Sequence, residues 1–130
     1  MVPYKSIING GLQSGKVIII QGIIDHDVKR LEINLRHKTG IAFFYSVHFD
    51  ENLVVHNTYE EGIWGDEERS EGMPFKRGQP FHVTIYCSHD HYVVFVNGNK
   101  AHTYKHRYTK LENVDVLEIC GKLRLTFVQP

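Results

Sequence analysis

The chain has 130 residues, of which 42% are hydrophobic and 23% charged, and its 15 basic side chains balance its 15 acidic ones. This length fits one domain covering residues 1–130, and the composition is that of a globular protein that can bury a core. Charge neutrality argues against a nucleic-acid partner, which requires clustered positive charge. No apolar run reaches the roughly 20 residues that a membrane helix needs, so we expect no membrane insertion.

Short runs with period-two alternation or β-branched enrichment occur along the chain, without convincing helical periodicity. The predicted strands, in chain order, are Lys16–Ile24, Leu31–Leu35, Ile41–Phe49, Leu53–Asn57, Phe81–Cys87, Tyr92–Val96, Lys100–Tyr104, Val114–Ile119 and Lys122–Val128. Many short strands with little helix predict an all-β sandwich of two antiparallel sheets.

Turn chemistry and alternation refine this prediction. Asn97-Gly98 predicts a tight hairpin, because both residues tolerate a positive φ. Residues 106–113 are predicted to form a single helical turn. In the last strand, alternation places Leu123, Leu125 and Phe127 on one face. That strand is a candidate sheet edge, where its outward cations would discourage pairing with another chain.

The sequence contains no recognisable catalytic motif, so we predict no enzyme activity and no cofactor. The triplet His89-Asp90-His91 has the residue types of a metal site but sits at a predicted turn, where a solvated role is favoured. Cys87 and Cys120 are predicted to be reduced, buried thiols. The N-terminal residues have no apolar signal-peptide segment, which predicts synthesis in the cytosol.

The segment "GIWGDEER" holds the single tryptophan, Trp64, between glycines and polar residues. One interpretation is a tryptophan at the edge of the core beside a solvated charge run. The other is a carbohydrate platform, in which an exposed indole covers the apolar face of a sugar and polar side chains bind its hydroxyls. Glu67 and Arg69 are two residues apart, so on a strand they would project to the same side and pair.

From residue 2 to residue 129 the sequence resembles the galectin family. The motifs that carry the resemblance include "FDENLVVHN", "WGDEERSEGMPF", "YKHR" and "LEICGKLRLTFV". The resemblance implies a jelly-roll sandwich of two antiparallel sheets. It also implies a concave face that binds β-galactosides or other glycans, without catalysis and without a metal ion.

Four positions of the galectin sugar site are intact in this chain: Asn57, Trp64, Glu67 and Arg69. The family's His-x-Asn-Pro-Arg motif is replaced. Its four defined positions hold Phe44, Ser46, Val47 and His48. The resemblance implies that the family's His and Arg grip the axial 4-hydroxyl of galactose, which Phe44 cannot do. We therefore expect weakened or altered β-galactoside recognition, at about 1–3 kcal/mol for each polar partner left without a bond.

A different use of the same fold is also compatible with these residues. The four intact residues would then brace the sheet, and the protein would serve a structural or protein-interaction role without binding sugar. Phe44 would contact another ligand or a neighbouring subunit. The resemblance further implies cytoplasmic residence, export by a non-classical route, and homodimers through terminal strands. The histidines assigned to the pocket, His48 and His56, are expected to make binding pH-dependent.

Overall fold

The computed structural model describes residues 2–130 and confirms an all-β sandwich of two antiparallel sheets. Within these residues there are twelve strands and one 3-10 turn. The strands are β1 Val2–Ile7, β2 Val17–Ile24, β3 Arg30–His37, β4 Gly40–His48, β5 Leu53–Glu60, β6 Ile63–Trp64, β7 Glu68–Glu71, β8 Pro80–Cys87, β9 His91–Val96, β10 Asn99–Lys105, β11 Val116–Gly121 and β12 Leu123–Gln129. The 3-10 turn, Leu111–Asn113, lies inside the predicted helical turn. No helix in the described part of the chain has the length and apolarity needed to cross a membrane.

The first sheet, which we call the groove sheet, has seven strands in the order β1-β11-β3-β4-β5-β6, with β7 pairing to the remaining half of β5. The second sheet has five strands in the order β10-β9-β8-β2-β12. Every pairing is antiparallel, and β12 lies at a sheet edge as the sequence predicted. β6 pairs with the end of β5 and β7 with its beginning. Residues 65–67, which connect β6 to β7, therefore lie beside the middle of β5.

Alternation along each strand builds the core between the sheets. In β2 the side chains of Ile18, Ile20 and Ile24 are buried, while the residues between them are partly exposed, except for Gly22. From Phe43 onward in β4, the odd-numbered residues, including Phe43 and Val47, face the core. Phe44, Ser46 and His48 therefore face outward, on the side of the sheet where the site lies. A register shift before Phe44 leaves Ala42 in the core.

Two of the three strands that were not predicted from the sequence, β6 and β7, carry site residues. β6 has only two residues, Ile63 and Trp64, and β7 is a short strand of polar residues. The predicted Asn97-Gly98 hairpin is confirmed, with φ of 51° and 86° at its two residues. The face assigned to Phe127 is wrong. A register shift between Leu125 and Phe127 turns the phenylalanine outward, whereas Leu125 packs against the core.

Both cysteines are free thiols, and they differ in burial. Cys87 is buried between the sheets and Cys120 is only half-buried. Burial raises the pKa of the Cys87 thiol to about 11, and burial also raises the pKa of Cys120. In native protein near pH 8 we expect Ellman's reagent to modify Cys120 before Cys87, because the reactive thiolate must also be accessible. Equal rates for the two thiols in the folded state would contradict this prediction, and the urea-unfolded chain supplies the control.

Candidate functional site

The outward face of β4 and β5 forms the base of a groove. The register places Phe44 opposite Asn57 and Ser46 opposite Val55, so these side chains share one face. The groove has a volume of about 560 Å³. Its lining residues are Arg30, Phe44, His48, Glu51, Val55, Asn57, Trp64, Gly65, Glu67 and Arg69. Six of the seven predicted site residues therefore line one cavity, and Ser46 lies fully buried beneath it.

Trp64 stands at the end of β6 with 48% of its surface exposed. Its ring centroid lies 4.8 Å from that of Phe44, with the rings nearly perpendicular, and 4.9 Å from that of Tyr59. These two rings contact the indole and leave about half of it exposed. The prediction of an open tryptophan is confirmed, and Phe44 narrows the groove without filling it.

Glu67 and Arg69 form the predicted ion pair on the rim of the groove. Arg69 donates to Glu67 Oε1 through Nε at 3.1 Å and through Nη2 at 2.9 Å. Glu67 lies just outside β7, so the pair depends on the turn as well as on strand alternation. Both side chains are exposed, and such a pair adds little to stability. The second oxygen of Glu67 makes no hydrogen bond within residues 2–130, so it can accept one from a ligand.

The substituted positions on β4 bond to one another. His48 Nε2 lies 3.0 Å from Ser46 Oγ, and His48 Nδ1 lies 3.3 Å from Glu51 Oε1. Both ring nitrogens of His48 thus have partners inside the protein. A ligand at this end of the groove would have to break one of these contacts before it could bond to the His48 ring.

Asn57 lies beneath the groove with only 3% of its surface exposed. Its Nδ2 donates to the carbonyl of Gly65 at 2.9 Å, and its Oδ1 accepts from the backbone N–H of Thr58 at 2.7 Å. These bonds tie the segment between β6 and β7 to β5. Asn57 therefore lines the groove and also holds the segment that carries Trp64 and Glu67.

His56 does not belong to the groove, which corrects its assignment as a pocket histidine. Alternation along β5 turns it into the interior, where it is 2% exposed and packs against His102. Burial lowers the pKa of His56 to about 4, with a smaller contribution from His102. His89 lies 91% exposed at the turn between β8 and β9. Across residues 2–130 no group of His, Cys, Asp and Glu side chains is arranged to hold a metal ion.

Two lining residues, Arg30 and Glu51, and one residue behind the groove, Arg107, were not identified from the sequence. Arg30 lies opposite His48 in the β3–β4 pairing, so it shares the groove face. Glu51 comes from the turn after β4, and Arg107 reaches the back of Asn57 from the loop after β10. Strand alternation could have indicated Arg30 once β3 and β4 were paired. Arg107 lies in the quoted motif "YKHR", but nothing local to that motif shows where the loop goes.

Comparison with known proteins agrees with this fold. The family described as galactoside-binding lectin matches residues 3–129 of the chain. Human galectin-7 is 35% identical over 98% of this chain and 96% of its own length. Pig galectin-4 is 37% identical over 98% of this chain, but the chain spans only 41% of that protein. The chain likewise spans 54% of the galectin-3 of Cricetulus longicaudatus, with 34% identity.

A structure of sheep galectin-11 in complex with glycerol superposes with a TM-score of 0.89 and 26% identity, covering 98% of this chain and 95% of that one. Fold, groove and family match thus define a carbohydrate-binding lectin fold of the jelly-roll class. The chain belongs to the galectin family, whose members bind glycans and are not enzymes.

Proposed function

We propose that residues 1–130 form one carbohydrate-recognition domain of a lectin with weakened or altered β-galactoside recognition. The observation that carries this proposal is the half-exposed Trp64 ring beside the Glu67–Arg69 pair in a groove of about 560 Å³. An open indole suits the C–H face of a sugar, and a carboxylate with a guanidinium suits its hydroxyls. The volume of this groove is in the range of small-ligand sites, and its lining residues, most of them polar, suit a ligand rich in hydroxyl groups.

The side chains of β4 support the change in specificity. Phe44 presents a hydrocarbon edge where a hydroxyl would require a partner, and the side chains of Ser46 and His48 already bond each other at 3.0 Å. A sugar hydroxyl buried against Phe44 would lose its bond to water without replacement, which costs about 1–3 kcal/mol. We infer that the axial 4-hydroxyl of galactose gains little here, so galactose and glucose are poorly distinguished.

The test is a pair of titrations followed through Trp64 fluorescence, since this is the only tryptophan. Lactose and cellobiose differ at the 4-hydroxyl of the terminal sugar, which is axial in lactose and equatorial in cellobiose. We expect dissociation constants for the two sugars within about tenfold, a difference of roughly 1.4 kcal/mol or less. A glycan panel then identifies any sugar that binds more tightly.

Glu67→Gln serves as the control, because it keeps the shape of the rim and removes the carboxylate. A response to sugar that survives Glu67→Gln and is insensitive to Trp64→Phe in calorimetry would place binding outside the groove. No response to any sugar in the panel would favour the structural or protein-interaction role. Residence in the cytoplasm, export by a non-classical route and dimer formation are further proposals that rest on family membership.

A further inference from the structure

One arginine from outside the groove sheet bonds to three segments of the groove wall. Arg107, in the loop after β10, donates through Nη1 to Asn57 Oδ1 at 3.1 Å. Its Nη2 donates to the backbone carbonyl of Asp66 at 2.8 Å and to Glu68 Oε2 at 3.0 Å. The guanidinium also lies 5.0 Å from the centroid of the buried Tyr104 ring. The Tyr104 ring makes a cation–π contact with the guanidinium. The N–H groups of the guanidinium bond to β5, to the 65–67 segment and to β7.

The same arginine determines the orientation of the Asn57 side-chain amide. Asn57 Oδ1 accepts from two donors, Thr58 N–H and Arg107 Nη1, which occupies both of its lone pairs. Its Nδ2 donates one hydrogen to the Gly65 carbonyl, which leaves one N–H uncommitted. A flipped amide would point its NH₂ group at two donors and its oxygen at a carbonyl. Asn57 therefore offers the groove a donor and no acceptor.

This arrangement also requires glycine at position 65, because a side chain there would displace the Arg107 guanidinium. A Cβ built on Gly65 would lie 2.8 Å from Arg107 Nη1 and 3.2 Å from Asn57 Oδ1. The long arginine side chain would have to move, because the asparagine is buried and bonded on three sides. Gly65→Ala thus disturbs the Arg107–Asn57 contact without removing the charge.

We propose that Arg107 is a positioning residue of the groove, which orients Asn57 as a hydrogen-bond donor and holds the segment carrying Trp64 and Glu67. The site then selects ligands that present an oxygen acceptor, such as a hydroxyl oxygen, above Asn57. This selection rests on the proposed glycan-binding function, whereas the orientation of Asn57 does not.

The test compares Arg107→Lys and Gly65→Ala with the native protein by ¹H–¹⁵N NMR in the absence of sugar. Lysine keeps the charge but lacks the fork, so Asn57 loses the partner that fixes its amide. We expect one sharp pair of Asn57 side-chain amide resonances in the native protein. In both variants we expect these resonances to broaden or double, with a shift of the Trp64 indole N–H.

Arg77→Lys is a matched control, because Arg77 makes the same kinds of contact away from the groove lining. It donates to the Val28 carbonyl at 2.9 Å and to Asp50 at 2.7 Å, and lies over the Phe49 ring. This variant should leave the Asn57 and Trp64 resonances unchanged. Asn57 resonances in Arg107→Lys that match those of the native protein would overturn the proposal, even if Arg107→Lys lowers stability.

Lactose and cellobiose titrations of the same variants connect the orientation to binding. If the native protein binds either sugar, Arg107→Lys is expected to weaken that binding about two- to tenfold, the scale of the one neutral hydrogen bond that a misoriented Asn57 would no longer donate. Unchanged affinity in a variant with disturbed Asn57 resonances would refute the selection of acceptor ligands. If the native protein binds no sugar, the proposed function fails, and the resonances still decide the role of Arg107.

Discussion

Lowering the pH from 6.5 to about 4 is expected to destabilise the folded protein by about 3 kcal/mol for each of two histidines, His56 and His102. Both rings are buried, at 2% and 8% exposure, and burial lowers the pKa of each to about 4. The unfolded chain takes up these protons at the ordinary pKa of 6.5. Well above pH 6.5 both rings are neutral in the folded and the unfolded chain, so they do not favour unfolding. As the pH falls from 6.5 towards 4, the unfolded chain alone takes up the protons, and the folded state loses stability. Urea unfolding at several pH values across this window measures it.

The geometry gives the physical reason for the two low pKa values. The ring centroids of His56 and His102 lie 4.8 Å apart, one from each sheet. Tyr45 Oη lies 3.0 Å from His102 Nδ1, and Ser70 Oγ lies 3.2 Å from His56 Nε2, so both partners are neutral. Glu68 on β7 is the residue paired with His56, and its carboxylate is bonded to Arg107. A proton on either ring would place an uncompensated charge in the core.

The double variant His56→Gln, His102→Gln tests the assignment, because glutamine keeps a hydrogen-bonding side chain and cannot titrate. Its stability should change much less between pH 6.5 and 4 than that of the native protein. His89→Gln is the control, since that ring is 91% exposed and should contribute little. The assignment is wrong if the double variant keeps the full pH dependence of the native protein.

The variant Phe44→His, Ser46→Asn, His48→Arg is expected to bind lactose about a hundredfold more tightly than the native protein. Each change restores a polar side chain that the galectin motif has at that position. Three new hydrogen bonds at about 1 kcal/mol each amount to roughly this factor. The remainder of the groove, including Trp64 and Glu67, is already in place. Trp64 fluorescence and calorimetry measure the gain.

Val47 is best left unchanged in this variant, although the galectin motif has proline there. Its side chain is buried in the core, on the opposite face from the groove. β4 is paired on both sides, with Val47 opposite Leu31 and Val54, and proline is disfavoured in such a strand. A threefold variant that keeps the native circular dichroism spectrum yet fails to bind lactose would show that the four intact residues brace the sheet. Adding Glu67→Gln should cancel any gain.

The sequence predicted the site in part, and the reason differs from residue to residue. Trp64 lies between glycines in a polar segment, a local pattern that already favours exposure, and the structure agrees. Phe44 was expected beside the site, and its edge-on contact with the indole depends on the β4–β5 register. Ser46 and His48 are two residues apart and share one face of β4, and the structure shows that their side chains bond to each other.

What the sequence determined by itself is what short-range chemistry controls. Alternation set most strands, positive-φ residues set the Asn97-Gly98 turn, and the family motif located Trp64, Glu67 and Arg69. Only the tertiary structure decided that a bulge turns Phe127 outward, that His56 meets His102 in the core, and that Arg107 reaches Asn57 across 50 residues of sequence. These contacts depend on sheet order and loop path, because hydrogen bonds and packing act between neighbours in space whatever their separation along the chain.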